Sequence, residues 1–209
     1  MPATAPVPPK PYHHGELQPA LLRVIGELIR EKGIEGLSMR ECARRAGVSW
    51  SAPIHHFGDK TGLLTAFAVE GFQGLRAAME ETRLAEPDPV RRSAQVGAAY
   101  LEFALSHPEH FRVMFRTELL AGDSPAYQDA CRAAYQVLED SFRECDAALG
   151  KPDVPNLAGR CLLAWSTVHG YATLCLEGAI AHPPEERLAV GRDLMLLLGP
   201  SLFGVGRGS

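Results

Sequence analysis

Residues 38–64 read SMRECARRAGVSWSAPIHHFGDKTGLL. Ser38-Met39-Arg40-Glu41 has the S-x-x-E form of a capping box, in which the serine hydroxyl satisfies an exposed amide and the glutamate reaches back. A helix is therefore predicted to start at Ser38, with Met39, Cys42, Ala43 and Ala46 on its inner face. Gly47 supplies the positive φ that a helix end wants, Val48 plugs the angle, and Ser49 is placed to cap a second helix over 49–57. Helix, three-residue turn, helix is the layout in which the second helix enters the major groove of DNA. Trp50, Ser51, Ala52, Ile54 and His55 are expected to face outward from it. Pro53 is tolerated in its first turn, and Phe57 is expected in the core. Arg40 is placed to reach a phosphate, whereas Arg44 and Arg45 serve either phosphate or a solvated face.

Working outward, five prolines among residues 2–11 predict a disordered tail over 1–14. Order is expected from about Glu16, with Pro19 in the first turn of a helix. Leu17, Leu21, Val24, Ile25, Leu28 and Ile29 recur at helical spacing up to Gly33. Further helices are predicted near 59–83, 89–106, 108–120, 125–149, 156–181 and 184–202. Proline and glycine mark each break. No apolar–polar alternation or hairpin dipeptide indicates a strand. The expected fold is all-α, with about nine helices. A helix-turn-helix domain is expected over 15–64 and a larger helical domain over 65–209.

Composition narrows the function classes. The 209 residues are 46% hydrophobic and carry a formal net charge of −4. Between Lys10 and Thr65 eight Lys/Arg stand against six Asp/Glu, so a mildly basic head precedes an acidic body. No apolar run is long enough to cross a membrane, and the N-terminus lacks a signal-peptide core. A cytoplasmic protein without a membrane partner is expected. Cys42, Cys131, Cys145, Cys161 and Cys175 form no C-x-x-C pair, which predicts reduced core cysteines rather than metal ligands or disulfides. The adjacent pairs His13-His14 and His55-His56 point to different helix faces, so no metal site and no cofactor is expected. Nucleophile-elbow, P-loop, zinc-protease and dinucleotide motifs are absent, which argues against an enzyme.

Residues 12–72 resemble the DNA-binding domain of the tetracycline-repressor (TetR) family. The resemblance rests on Ser38-x-Arg40, Ala46-Gly47-Val48-Ser49, His56-Phe57, Lys60 and Leu63-Leu64, with the opening run Tyr12-His13-His14-Gly15-Glu16-Leu17. It implies that His56 and Lys60 lie over the DNA backbone. Many members carry a tyrosine at the position of Ile54, whose hydroxyl meets phosphate. Isoleucine has no donor, and contact with a thymine methyl is the alternative. The expected DNA-contacting set is Ser38, Arg40, Ser49, Trp50, Ser51, Ala52, Ile54, His55, His56 and Lys60.

The second half resembles the family in two short stretches. Trp165-Ser166-Thr167-Val168-His169-Gly170 resembles the W-x-x-x-H-G signature of one class of TetR C-terminal domains. The segment from His107 to Phe115 resembles part of the same class. The resemblance implies a ligand pocket and a homodimer formed through the last two long helices. Trp165 and His169 are four apart and share a helix face. Phe103, Phe111, Met114, Phe115, Tyr135, Trp165, His169 and Leu176 are the expected walls, with His169 as a polar anchor, or else an ordinary core. Gly170, Gly178 and Gly191 are read as allowing close helix approach at the dimer interface.

The resulting expectation is a ligand-responsive, DNA-binding transcriptional regulator. It would be a repressor released from a palindromic double-stranded operator by a small apolar molecule. The alternative is a constitutive DNA-binding or protein-binding regulator without such a ligand.

Overall fold

The computed structural model describes residues 14–151 and 154–203. The expected tail, and the Tyr12-His13 part of the opening run, lie outside the described residues. Nine α-helices and a single 3-10 turn make up the described secondary structure, with no strand among the described residues. The chain divides into two compact units after Leu63, within the fourth helix.

The first unit holds α1 (His14–Lys32), α2 (Met39–Ala46), α3 (Ala52–Phe57) and the start of α4 (Lys60–Ala85). Leu21, Ile25 and Leu28 of α1 are fully buried, as their spacing predicts, and Cys42 and Ala43 of α2 are buried with them. Pro19 is the sixth residue of α1, beyond the first turn where it was expected, because the helix starts upstream of Glu16.

Three local expectations change. Ser38 has the extended backbone of a cap but makes no side-chain cap bond. Glu41 does not reach back because two guanidinium groups hold it: Arg44 Nε and Nη2 donate to its carboxylate at 2.9 Å each, and Arg45 Nε at 3.3 Å. Charge-assisted pairs outcompete a neutral amide for the same oxygens. The second motif helix starts at Ala52 rather than Ser49. Residues 49–51 form a turn in which Ala52 N–H donates to Ser49 C=O at 3.0 Å. Pro53 is fully buried at the head of this short helix, and Phe57 is only half-buried.

The second unit holds the rest of α4, then α5 (Pro89–Ser106), α6 (Pro108–Met114), α7 (Pro125–Ala148), α8 (Leu157–Leu176) and α9 (Pro184–Phe203). α5 is central and packs on α7, α8 and α9. Its contact with α9 is close. A Cβ at Gly191 would lie 2.0 Å from Leu101 Cδ2 and 3.2 Å from Tyr171 Cε1, so any larger residue would force the leucine to move. The expected helix over 108–120 is broken after Met114. The chain resumes as the 3-10 turn Thr117–Leu119. α8 ends at Leu176, short of the expected 181, because Gly178 takes φ +71° and turns the chain. That glycine therefore serves a turn rather than close packing. An ion-pair network joins three helices: Arg83 of α4 and Arg92 of α5 both donate to Glu144 of α7.

Candidate functional site

The first unit presents a surface built by α2, the turn and α3. Gly47 takes φ +68° at the end of α2, and Val48 N–H donates to Ala43 C=O at 3.0 Å. This reversal leaves residues 49–51 and 54–56 exposed, with Pro53 buried beneath them. Trp50 is 68% exposed and Ile54 41%, an unusual display for two large apolar side chains in a short stretch. Ser38, Arg40, Ser49, Ser51, His55 and His56 are also exposed, whereas Ala52 and Lys60 are half-buried. Lys60 Nζ lies 3.5 Å from Glu35 C=O.

Arg44 and Arg45 are committed to ion pairs. Besides the bonds to Glu41, Arg45 Nη1 donates to Glu31 at 2.7 Å. The hydrogen bond from Arg44 is foremost in pulling the Glu41 carboxyl down to about 2. The alternative of a solvated, self-paired face therefore describes these two arginines. Arg40 makes no such pair with Glu41 and stays exposed.

The second unit encloses a cavity of about 490 Å³, inside the range of small-molecule sites. Of the expected wall residues, Phe115, Tyr135 and Trp165 line it. Phe103, Phe111 and Met114 are buried but are not among the lining residues. Neither are His169 and Leu176. The lining includes Phe72 of α4, Tyr100 of α5, Tyr127 and Phe142 of α7, and Met195 and Leu202 of α9, none of which the sequence singled out. No local signal marks them, since their partners come from distant helices. Cys131 also lines the cavity and is half-buried, whereas the other four cysteines are buried.

Tyr100 is the buried polar centre of this site. Trp165 Nε1 donates to its hydroxyl at 3.2 Å, and the same hydroxyl lies 2.8 Å from His169 Nδ1. Burial holds His169 below the ordinary histidine value, so the ring is neutral. The indole takes one lone pair of the Tyr100 oxygen, and the phenol and the neutral imidazole share a hydrogen bond whose donor is set by the tautomer of His169. The rings of Phe111 and Phe115 pack on the imidazole, with centroids at 5.0 and 4.5 Å. His169 thus holds Tyr100 in place rather than lining the cavity.

The outer faces of α8 and α9 carry a second feature. Leu162, Leu163 and Leu174 of α8 and Leu196 and Leu197 of α9 are 44–63% exposed. A Cβ at Gly170 would meet nothing within 4 Å of its own chain. No described group of His, Cys, Asp and Glu is arranged to hold a metal, and no described helix is long and apolar enough to cross a membrane.

Comparison with known proteins follows the same division. Residues 21–67 match the family model for bacterial regulatory proteins of the tetR family, and residues 93–195 match that for the tetracyclin repressor-like C-terminal domain. A solved protein of unknown function from Rhodococcus sp. RHA1 is 33% identical, with 90% of this chain and 97% of that one covered and a TM-score of 0.75. A transcriptional regulator from the same source is 25% identical over 90% of this chain and 98% of that one, with a TM-score of 0.66. The regulator FadR of Bacillus subtilis, solved with stearoyl-CoA, shares the fold at 15% identity and a TM-score of 0.70, covering 86% of this chain and 96% of its own. No curated protein matches.

Proposed function

The chain belongs to the TetR family of bacterial transcriptional regulators, and on that premise we propose that it is a dimeric, cytoplasmic repressor released from a palindromic operator by a small apolar molecule. Proteins of this family are DNA-binding regulators rather than enzymes. The observation that carries the ligand-responsive reading is the 490 Å³ cavity, walled by aromatic and aliphatic side chains of five helices. A regulator that ignored small molecules would have no need of such a space, because an empty apolar cavity costs stability.

In this reading α3 and its preceding turn face the major groove. Trp50, Ser51, Ala52, Ile54 and His55 meet bases. Ser38, Arg40, Ser49, His56 and Lys60 meet phosphates. The exposed leucines of α8 and α9 join two copies, since an isologous pairing of those helices would cover them. A ligand in the cavity favours a conformation with lower operator affinity, and a coupling of about 1–3 kcal/mol lowers that affinity roughly 5- to 150-fold.

The test is selection of bound duplexes from a random pool, repeated with apolar small molecules present. An inverted repeat should be enriched without ligand, and its retention should fall with an effective one. Failure to enrich any sequence overturns the operator reading. Enrichment that no apolar molecule changes overturns the ligand reading.

A further inference from the structure

We propose that the cavity of the second unit takes a molecule that is uncharged throughout the part it encloses, of the alcohol or hydrocarbon class, and that it rejects carboxylates of the same size. The inference rests on reading this cavity as the ligand site. It narrows that apolar ligand to a stated class and adds the exclusion of amphipathic acids.

The lining contains no Asp, Glu, Lys, Arg or His. Cationic side chains beside it are paired elsewhere: Arg116, between the lining residues Phe115 and Thr117, donates to Glu118, and Arg160 keeps only its buried Nε without a partner. His169 is kept neutral by burial and is hydrogen-bonded to Tyr100. Arg160 packs on the rings of Phe142 and Phe203, at 5.8 and 5.9 Å from their centroids, but its charge is paired bidentately with Asp146 at 2.9 and 2.6 Å. It also donates to Leu202 C=O at 3.0 Å.

The hydroxyls are mostly committed as well. Tyr127 donates to Met114 C=O at 3.0 Å and Ser93 to Val90 C=O at 2.9 Å. The Tyr100 hydroxyl is hydrogen-bonded to His169 Nδ1 at 2.8 Å and takes the Trp165 N–H at 3.2 Å. The hydroxyls of Thr117 and Tyr135 are left to serve a guest. A carboxylate entering here would exchange its water shell for two neutral hydroxyls and no countercharge, and burial without pairing is costly. An alcohol of equal length loses far less water and is satisfied by one such partner.

The experiment titrates the purified protein calorimetrically with straight-chain primary alcohols and with the matching carboxylates, at a pH where the acids are ionised. Alcohols of intermediate length should bind, and each carboxylate should bind at least about 100-fold more weakly than its alcohol. Thr117→Lys, at an exposed lining position, places a cation at the rim and should narrow that gap by strengthening carboxylate binding. Ala134→Leu shortens the cavity and should move the preferred chain length downward; its modest size lets the variant fold where a tryptophan would not. Carboxylates that bind as tightly as alcohols, with the Ala134→Leu shift still present, overturn the charge inference and leave the cavity as the site. A folded Ala134→Leu protein with unchanged length preference overturns the cavity reading itself. Failure of every alcohol to bind overturns both.

Discussion

The hydroxyl of Tyr100 on α5 lies 2.8 Å from Nδ1 of His169 on α8, while Trp165, one turn before His169, donates its indole N–H to the same oxygen at 3.2 Å. Two residues at helical spacing thus close on a phenol 65 and 69 positions away. Tyr100→Phe removes the shared partner and leaves the indole N–H and the imidazole nitrogen without it. It should cost about 1–3 kcal/mol in denaturant unfolding. Trp165→Phe removes one neutral bond and should cost about 1 kcal/mol. Operator affinity without ligand should be unchanged in both folded variants.

The histidine also makes stability depend on pH. Its folded value lies below the ordinary 6.5 because burial penalises the charged ring. The unfolded chain therefore takes up a proton first as pH falls, and its contribution, full above 6.5, is lost on acidification below that value. Unfolding free energy measured from pH 8 to 5 should fall, and His169→Gln should flatten the part of that slope below 6.5. An unchanged slope in His169→Gln would rule out this group as the cause.

Arg160 and Asp146 form the most buried ion pair described here, with side chains 11% and 4% exposed. It ties the start of α8 to the end of α7 and, through Leu202 C=O, to α9. Arg160→Ala should destabilise by about 3–5 kcal/mol, because Asp146 is left buried without its partner. Asp146→Leu combined with Arg160→Met should recover most of that loss. A chemical denaturation series on the wild type and these two variants checks both statements.

Leu197 is 63% exposed on α9. If α8 and α9 pair between copies, Leu197→Glu buries a carboxylate in an apolar interface and should yield monomers in sedimentation. Operator binding should be lost with the dimer, and the melting of each protomer's helices should persist. An intact Leu197→Glu dimer would move the interface elsewhere.

For DNA, Ile54→Ala and Trp50→Ala should change which bases are preferred, costing about 1–3 kcal/mol at the positions concerned. Lys60→Ala should weaken binding to all sequences alike and lower the salt dependence by about one phosphate contact. Competitive binding against a panel of single-base operator variants separates the two patterns. A uniform loss in all three would remove the base-reading role of residues 50 and 54.

Legibility followed range. The apolar spacing from Leu17 to Ile29 and the sequence Ala46-Gly47-Val48 settle helix, turn and helix locally. Burial and a positive φ there depend on residues within one or two turns. The same locality misled at Ser38. A capping box is a four-residue rule, and Glu41 is captured by Arg44 and Arg45, one of which is itself tied to Glu31 fourteen positions away. The α8 stretch likewise reads as apolar up to 181, whereas the backbone at Gly178 ends it sooner.

By itself the sequence determined an all-helical chain, the head that carries residues 49–56, and the shared face of Trp165 and His169. Each of those follows from periods of a few residues along one helix. Only the tertiary structure decided which face meets empty space. It brought Tyr100 between Trp165 and His169, placed Tyr127 and Phe142 in the cavity wall, and kept Phe103, Phe111 and Met114 among the buried residues outside its lining. The reason is that a wall of a cavity and a residue of a packed core obey the same hydrophobic pattern. They differ only in whether the opposite helix fills the gap, and that is a relation between residues far apart in the chain.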